Sequence, residues 1–180
     1  MRLSTIGSLT SHQATDRPDL LADPVAKALE SWEHSADVAV VEIDPALADT
    51  EALCKAYDLP LEGSVNCVVV GGSRGGEQRI AACMVQADRR ADVNNVVRRL
   101  LDVRKASFLP MDQAVSDSGM EYGGITPVGI PDSWRLLVDA RCVEVDVVVI
   151  GSRVRRSKLV LPGRLLGELP GAEVVDGMAG

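Results

Sequence analysis

Apolar residues recur along the chain with two different periods, and the switches between them predict its elements. In "DPVAKALESWE" (Asp23 to Glu33), Val25, Ala28, Leu29 and Trp32 return at helical spacing. Asp23 then serves as the helix cap, with Pro24 in the first turn. "ADVAVVEIDP" (Ala36 to Pro45) alternates and predicts a strand. "DTEALCKAYDLP" (Asp49 to Pro60) predicts a short helix capped by Asp49 and stopped by proline. "SVNCVVVGG" and "RIAACMVQA", joined by the glycine-bearing "SRGGEQ", predict a β-hairpin at the centre of a sheet. "ADVNNVVRRLLDVRK" (Ala91 to Lys105) gathers Val93, Val96, Val97, Leu100 and Leu101 on one helical face. Asp92 at its start and Arg104 and Lys105 at its end match the helix dipole.

Further on, "ASFLP" predicts a short strand and "MDQAVSDSG" a helix closed by Gly119. "WRLLVDA", "CVEVDVVVIGS" and "SKLVLP" read as strands, "PGRLLGELPG" as a brief helix and "AEVVDG" as a closing edge strand. Strands in mixed order with helices between them predict one compact mixed α/β (α+β) domain, built on a central, largely antiparallel sheet with flanking helices. That domain is expected over residues 23–180. Residues 1–22 carry no apolar signal segment and are expected to form a polar, flexible leader.

Composition narrows the picture. Hydrophobic residues make up 46% but aromatic residues only 3%, so the core must be built from Val, Leu, Ala and Ile. Apolar runs such as "VDVVVIG" are far too short to span a membrane. Cys54, Cys67, Cys83 and Cys142 form no CxxC pair and sit in apolar contexts. They read as reduced, packed thiols rather than a disulfide framework or a zinc site, which suits a cytoplasmic protein. Net charge is −7, with 4 Lys/Arg against 12 Asp/Glu in residues 1–62. This acidity argues against nonspecific binding to duplex DNA, but leaves room for a local basic patch that holds one RNA end.

One loop stands apart. "EYGGITPVGIP" (Glu121 to Pro131) packs three glycines and two prolines among apolar residues. Gly123 and Gly124 permit backbone angles closed to other residues, and Pro127 stiffens the second half of the loop. Such a loop can aim main-chain amides at a carbonyl oxygen or a phosphate without reorganising. The same residues would also make a tight connector.

The stretch from Ser118 to Ala140 resembles the signature of the YbaK/ProX family of aminoacyl-tRNA deacylases, a Gly-Gly-(Val/Ile)-(Ser/Thr)-Pro-x-Gly loop before a strand ending in Asp. Here those positions are Gly123, Gly124, Ile125, Thr126, Pro127, Val128 and Gly129, then Asp139. "SVNCVVVGG" falls at the family's first central strand, and "VVVIGSRVRRSKLVLP" at its glycine-bearing strand pair. The resemblance spans about Asp23 to Asp176. It implies hydrolysis of the ester of a mischarged tRNA carrying a small amino acid, in a fold shared with the editing insertion of some prolyl-tRNA synthetases. No metal or organic cofactor is implied. The implied partners are the aminoacylated tRNA 3′ end and an aminoacyl-tRNA synthetase, and the closing edge strand could pair two copies into a homodimer.

The implied catalytic positions are Asn66, Gly123, Gly124 and Asp139, the last of which could orient a pocket donor or merely cap a turn. Implied substrate contacts are Cys67, Tyr122, Ile125, Thr126, Pro127, Gly129, Gly151, Ser152, Arg155 and Lys158. The chain departs from the family at one of these. Active members usually carry Lys where this chain has Asn66, followed by Thr where it has Cys67. An amide in place of an ammonium removes a charge-assisted hydrogen bond, on the order of 1.5–3 kcal/mol. Alternation puts the Cys67 side chain on the opposite strand face from Asn66, as an inert thiol. Arg153, Arg155, Arg156 and Lys158 form a basic run that reads either as a solvated turn or as a phosphate contact. The Asn66 departure leaves a second function open: a non-catalytic module that binds aminoacyl-tRNA or a small ligand. A third is a partner protein that works through the acidic front third.

Overall fold

The computed structural model describes residues 5–180. The strands divide between two five-stranded sheets rather than forming one. In the first, β1 (Thr5–Ile6), β2 (Leu9–Gln13) and β3 (Ala39–Glu42) run antiparallel, and β9 (Ser157–Leu161) and β8 (Val148–Gly151) complete the order β1-β2-β3-β9-β8. The second has the order β10-β7-β5-β4-β6. The hairpin of β4 (Val65–Arg74) and β5 (Glu77–Gln86) lies at its centre. There β6 (Ala106–Phe108) is antiparallel to β4, while β7 (Arg135–Asp139) is parallel to both β5 and β10 (Ala172–Val175). The mixed α+β class holds.

The hairpin register is full: Val65 pairs with Gln86 and Arg74 with Glu77. It closes through Gly75 and Gly76, both at positive φ, as a two-residue hairpin turn requires. The "GGSRGGE" stretch is therefore strand and turn. Helix α1 (Asp23–Ser31) starts from Ala22, so Asp23 lies inside the helix and makes no capping bond. Helix α2 (Thr50–Tyr57) follows Asp49 as expected, although the Asp49 side chain makes no capping bond. The long helix predicted over Ala91–Lys105 is shorter: a π-helical turn, Val93–Val97, runs into α3 (Arg98–Leu100). Its apolar face still packs on the second sheet with Val70, Cys83 and Leu137. Helix α4 (Met111–Ser118) ends at Gly119 in the left-handed conformation.

Two sequence expectations give way. The run from Cys142 is not strand throughout: α5 (Ala140–Glu144) precedes β8, because the Asp139 side chain accepts a hydrogen bond from the Arg141 amide and starts a helix. A 3₁₀ segment, Gly163–Glu168, follows β9. Residues 5–22 do not form a leader either; the first four residues of the expected leader lie outside the described residues. Leu9–Gln13 pairs with β3, and Leu9, Ala14, Leu20 and Leu21 are buried. Leu20 is 2% exposed within the main apolar cluster. Leu20→Ala is therefore expected to cost about 2–5 kcal/mol in urea unfolding. A change near zero would restore the leader.

Among the described residues, no helix is long and apolar enough to cross a membrane. All four cysteines are unpaired. Burial pushes the Cys83 and Cys142 thiols up to about 12.

Candidate functional site

The sheets meet where the Val149 amide donates to the Gly63 carbonyl at 2.8 Å, beside a Ser64–Val149 bridge. Farther along β4, β6 pairs only at Val70, Gly71 and Gly72, and the Leu109 amide donates to the Val69 carbonyl at 2.8 Å. Between these junctions the edge of β4 is open. Main-chain groups alternate between the two edges of a strand, so Cys67, two residues before Val69, turns its N–H and carbonyl toward this opening.

A cleft of about 370 Å³ lies there. Its floor is Ser64 with β4 from Val65 to Val68, and β8 from Val149 to Gly151. Ala48, Asp49, Thr50 and Leu53 form one wall, and Tyr122, Gly123 and Ile125 the other. Lys158 reaches in from β9, and Met111 stands at the rim. Seven of the sequence-predicted residues thus converge: Asn66, Cys67, Tyr122, Gly123, Ile125, Gly151 and Lys158.

Lys158 is the cleft's cation. It is 6% exposed, and its Nζ donates to the Gly123 carbonyl at 2.8 Å. Burial first, then the neighbouring Arg155 charge, lowers its pKa to about 8. The ammonium keeps two further N–H donors for a ligand. Asn66 accepts from the Thr50 hydroxyl at 2.6 Å through Oδ1, which orients the amide. Its NH₂ donates to no group among the described residues. Cys67 supplies main chain and wall rather than a nucleophile, since burial pushes its thiol up.

The glycine loop works differently from the expectation. Gly123, at φ +74°, lines the cleft. The Gly124 amide is already spent on the Glu121 carbonyl at 2.9 Å. A Cβ on Gly124 would lie 2.9 Å from Arg153 C and Val154 N, so this glycine allows close packing rather than ligand approach. Gly124 is thus no oxyanion donor. The amides of Gly123 and Ile125 meet no acceptor among the described residues.

The basic run is neither a solvated turn nor a free phosphate site. Arg153, at φ +79°, donates to the Gly129 and Ser118 carbonyls at 3.1 and 2.7 Å. Its own amide donates to the Gly124 carbonyl at 2.7 Å. Arg155 donates to the Tyr122 and Pro45 carbonyls at 2.8 and 3.1 Å and lies over the Tyr122 ring at 5.4 Å. Arg156 donates to the Asp19 carbonyl at 2.5 Å. With Lys158, Arg153 and Arg155 pin the glycine loop, and Arg156 ties this run to the front segment.

Other predicted residues fall outside the cleft. Asp139 is buried, with its carboxylate oxygens on the Arg141 and Ala179 amides at 3.0 and 2.8 Å. It starts α5 and ties down the C-terminal segment. Ser152 is buried and donates to the Ser157 carbonyl at 2.8 Å. Thr126 is buried, its hydroxyl accepting from the Val128 amide at 3.4 Å. Pro127 and Gly129 face a different cavity of about 430 Å³ with Trp32 and Trp134. Sequence reading missed Thr50, Asp49, Ser64, Met111 and Val149. The Ser64–Val149 bridge and the packing of the starts of α2 and α4 bring them to the cleft, and nothing in their local sequence marks them for it.

A two-sheet fold, a stapled glycine loop and a cleft with one buried lysine define a small α+β domain with an open cleft beside the junction of its sheets. The sequence matches the aminoacyl-tRNA editing domain over residues 44–168, and the chain belongs to that family. No curated protein sequence matches it. Solved structures do. One is the hypothetical protein APE2540, with TM-score 0.77 and 17% identity over 88% of this chain and 100% of that one. Another is a candidate trans-editing enzyme for prolyl tRNA synthetase, with TM-score 0.71 and 20% identity over 87% and 97%. At such identities these likenesses show a shared fold.

Proposed function

We propose that the cleft binds the acyl end of a charged tRNA and hydrolyses its ester, removing a small amino acid. The observation that carries this reading is the Lys158 ammonium, held on the Gly123 carbonyl in the same cleft as the Asn66 amide. The cation the family places at position 66 is here supplied from β9. A volume of about 370 Å³ is near the lower end for ligand pockets, which suits a small aminoacyl group with its ribose.

The ester carbonyl would sit between the Lys158 ammonium and the free Gly123 amide, and its developing oxyanion would be held by both. The Asn66 NH₂ would donate to a ribose or phosphate oxygen. The nucleophile is water, a ribose hydroxyl or, for a cysteinyl substrate, its own thiol. No side-chain nucleophile is needed. The family membership and the trans-editing relative support tRNA as partner and an aminoacyl-tRNA synthetase as an associate.

The test is a deacylation screen with cysteinyl-, alanyl- and seryl-tRNA, run beside Asn66→Lys. Turnover is expected on at least one substrate, with a changed rate or choice in the variant. Saturable binding of charged tRNA without turnover would favour the non-catalytic reading.

A further inference from the structure

The chain carries net charge −7, yet one face away from the cleft collects cations. A shallow groove at the far end of the β4–β5 hairpin is lined by Arg74, Arg98, Arg99 and Arg104, with Asp102 as its one carboxylate. Asp102 is engaged by Arg74 and by Arg79, the latter at 3.0 Å. Arg98 and Arg99 donate through Nε to the Asn94 and Asn95 carbonyls at 2.7 and 3.1 Å, which leaves their terminal NH₂ groups without a partner among the described residues. Arg104 and Lys105 are exposed and meet no carboxylate among the described residues. Unlike the cations of the glycine loop, Arg98 and Arg99 bond only to carbonyls one turn back on their own helical segment, and no side-chain bond ties Arg104 or Lys105 to another element among the described residues.

Strand β6 connects this groove to the cleft. Ala106 pairs with Gly72 and Phe108 with Val70. The pleat puts Asn66, Val68, Val70 and Phe108 on one face of the sheet. At about 3.3 Å per residue, Phe108 lies about 13 Å along β4 from Asn66, and the Lys105 end of the groove more than 20 Å. Phe108, the chain's one phenylalanine, is 56% exposed at the open sheet edge. Met111 and Tyr122, at 45% and 51%, continue the exposed apolar line to the cleft mouth. A protein so poor in aromatic residues leaves Phe108 exposed along the sheet edge and Tyr122, with Arg155 over its ring, half exposed at the cleft wall. Stacking surfaces leading into a basic groove are what single-stranded nucleic acid recognises.

Resting on the deacylase reading, we propose that this face is the docking surface for the tRNA beyond its terminal nucleoside. The unpaired 3′ end crosses Met111 and Phe108, and duplex phosphates meet Arg98, Arg99, Arg104 and Lys105.

The experiment measures binding of end-labelled, uncharged tRNA by fluorescence anisotropy across a salt series. It compares wild type, a triple Arg98→Glu, Arg99→Glu, Arg104→Glu variant, and Phe108→Ala. Arg99, Arg104 and Phe108 are exposed and Arg98 is half-buried, and circular dichroism confirms folding. The triple variant is expected to bind at least about tenfold more weakly and to lower the log–log salt slope by about 2–3, at roughly 0.7–0.9 per lost phosphate contact. Phe108→Ala is expected to weaken intact tRNA about tenfold with the slope unchanged, and to leave tRNA trimmed of its unpaired end unaffected. Wild-type affinity and slope in the triple variant, or no binding of tRNA by wild type, would overturn the proposal. Hydrolysis of an aminoacylated trinucleotide separates the two readings. If wild type binds tRNA through this face but cleaves no ester, the surface stands and the deacylase reading falls.

Discussion

Replacing Lys158 with Met is expected to stabilise the protein at neutral pH and to remove most of its ester hydrolysis. The lysine is buried, and its pKa lies at about 8, below the roughly 10.4 of an unfolded chain. Below pH 8 both states carry the proton, and the folded state bears the full cost of the buried charge. Between about 8 and 10.4 the folded state sheds the proton while the unfolded state keeps it, so wild-type stability rises with pH relative to the variant. The gap of about 2.5 units corresponds to on the order of 3 kcal/mol. The difference in denaturation free energy between Lys158→Met and wild type should therefore shrink by that order from pH 7 to 10.5. The thiols work in the opposite sense: Cys83 and Cys142, pushed up to about 12, keep their protons when the unfolded chain loses them, so stability falls above about pH 8.5. Both variants share that loss, and it cancels in the difference.

Activity moves the other way. Loss of the ammonium removes a charge-assisted contact with the ester oxyanion, about 10–100-fold in rate. The ratio of wild-type to variant rate should decline above pH 8 as the amine loses its proton. A ratio that rises with pH would instead make Lys158 a general base. A variant with the wild-type rate would remove it from the chemistry.

Gly151→Ala is expected to be the most disruptive single methyl group at the site. A Cβ there would press on the Ile125 carbonyl oxygen and lie 2.6 Å from that of Gly124. Both contacts are backbone, and the loop cannot retreat: Gly124 is bonded to Arg153 and Gly123 to Lys158. Overpacking of this kind costs about 3 kcal/mol or more, and the displaced loop should take hydrolysis with it. Gly75→Ala is the contrast. Its Cβ meets nothing within 4 Å, so only the strain of φ +60° remains, about 1 kcal/mol and no loss of activity. Similar unfolding midpoints for the two variants would refute the stapled loop.

Local signals were legible in the sequence where one residue's chemistry decides the outcome. Alternating valines, a glycine pair and a second alternating run sufficed for the β4–β5 hairpin, and Gly119 for the end of α4. The loop motif located one wall of the cleft. What pairing alone decides was not legible. The split into two sheets depends on β3 choosing β9 over the hairpin. The buried front segment depends on Leu20 and Leu21 finding a core supplied by residues far along the chain. Asp139 looked like a pocket residue because it ends a strand in a motif, but its partners are the amides of Arg141 and Ala179, the second of them 40 residues away. The basic run misled for the same reason. Four cations in six residues look solvated until the carbonyls they bind are brought against them.

The most direct test locates the acyl end itself. Backbone amide NMR shifts of the ¹⁵N-labelled protein would be followed as a hydrolysis-resistant 3′-alanylamido-adenosine is added. Saturable shifts are expected at Asn66, Cys67, Gly123 and Ile125, with the Lys158 amine moving in the same titration. Shifts confined to the cavity beside Trp32 and Trp134, with the Lys158 cleft silent, would contradict the account.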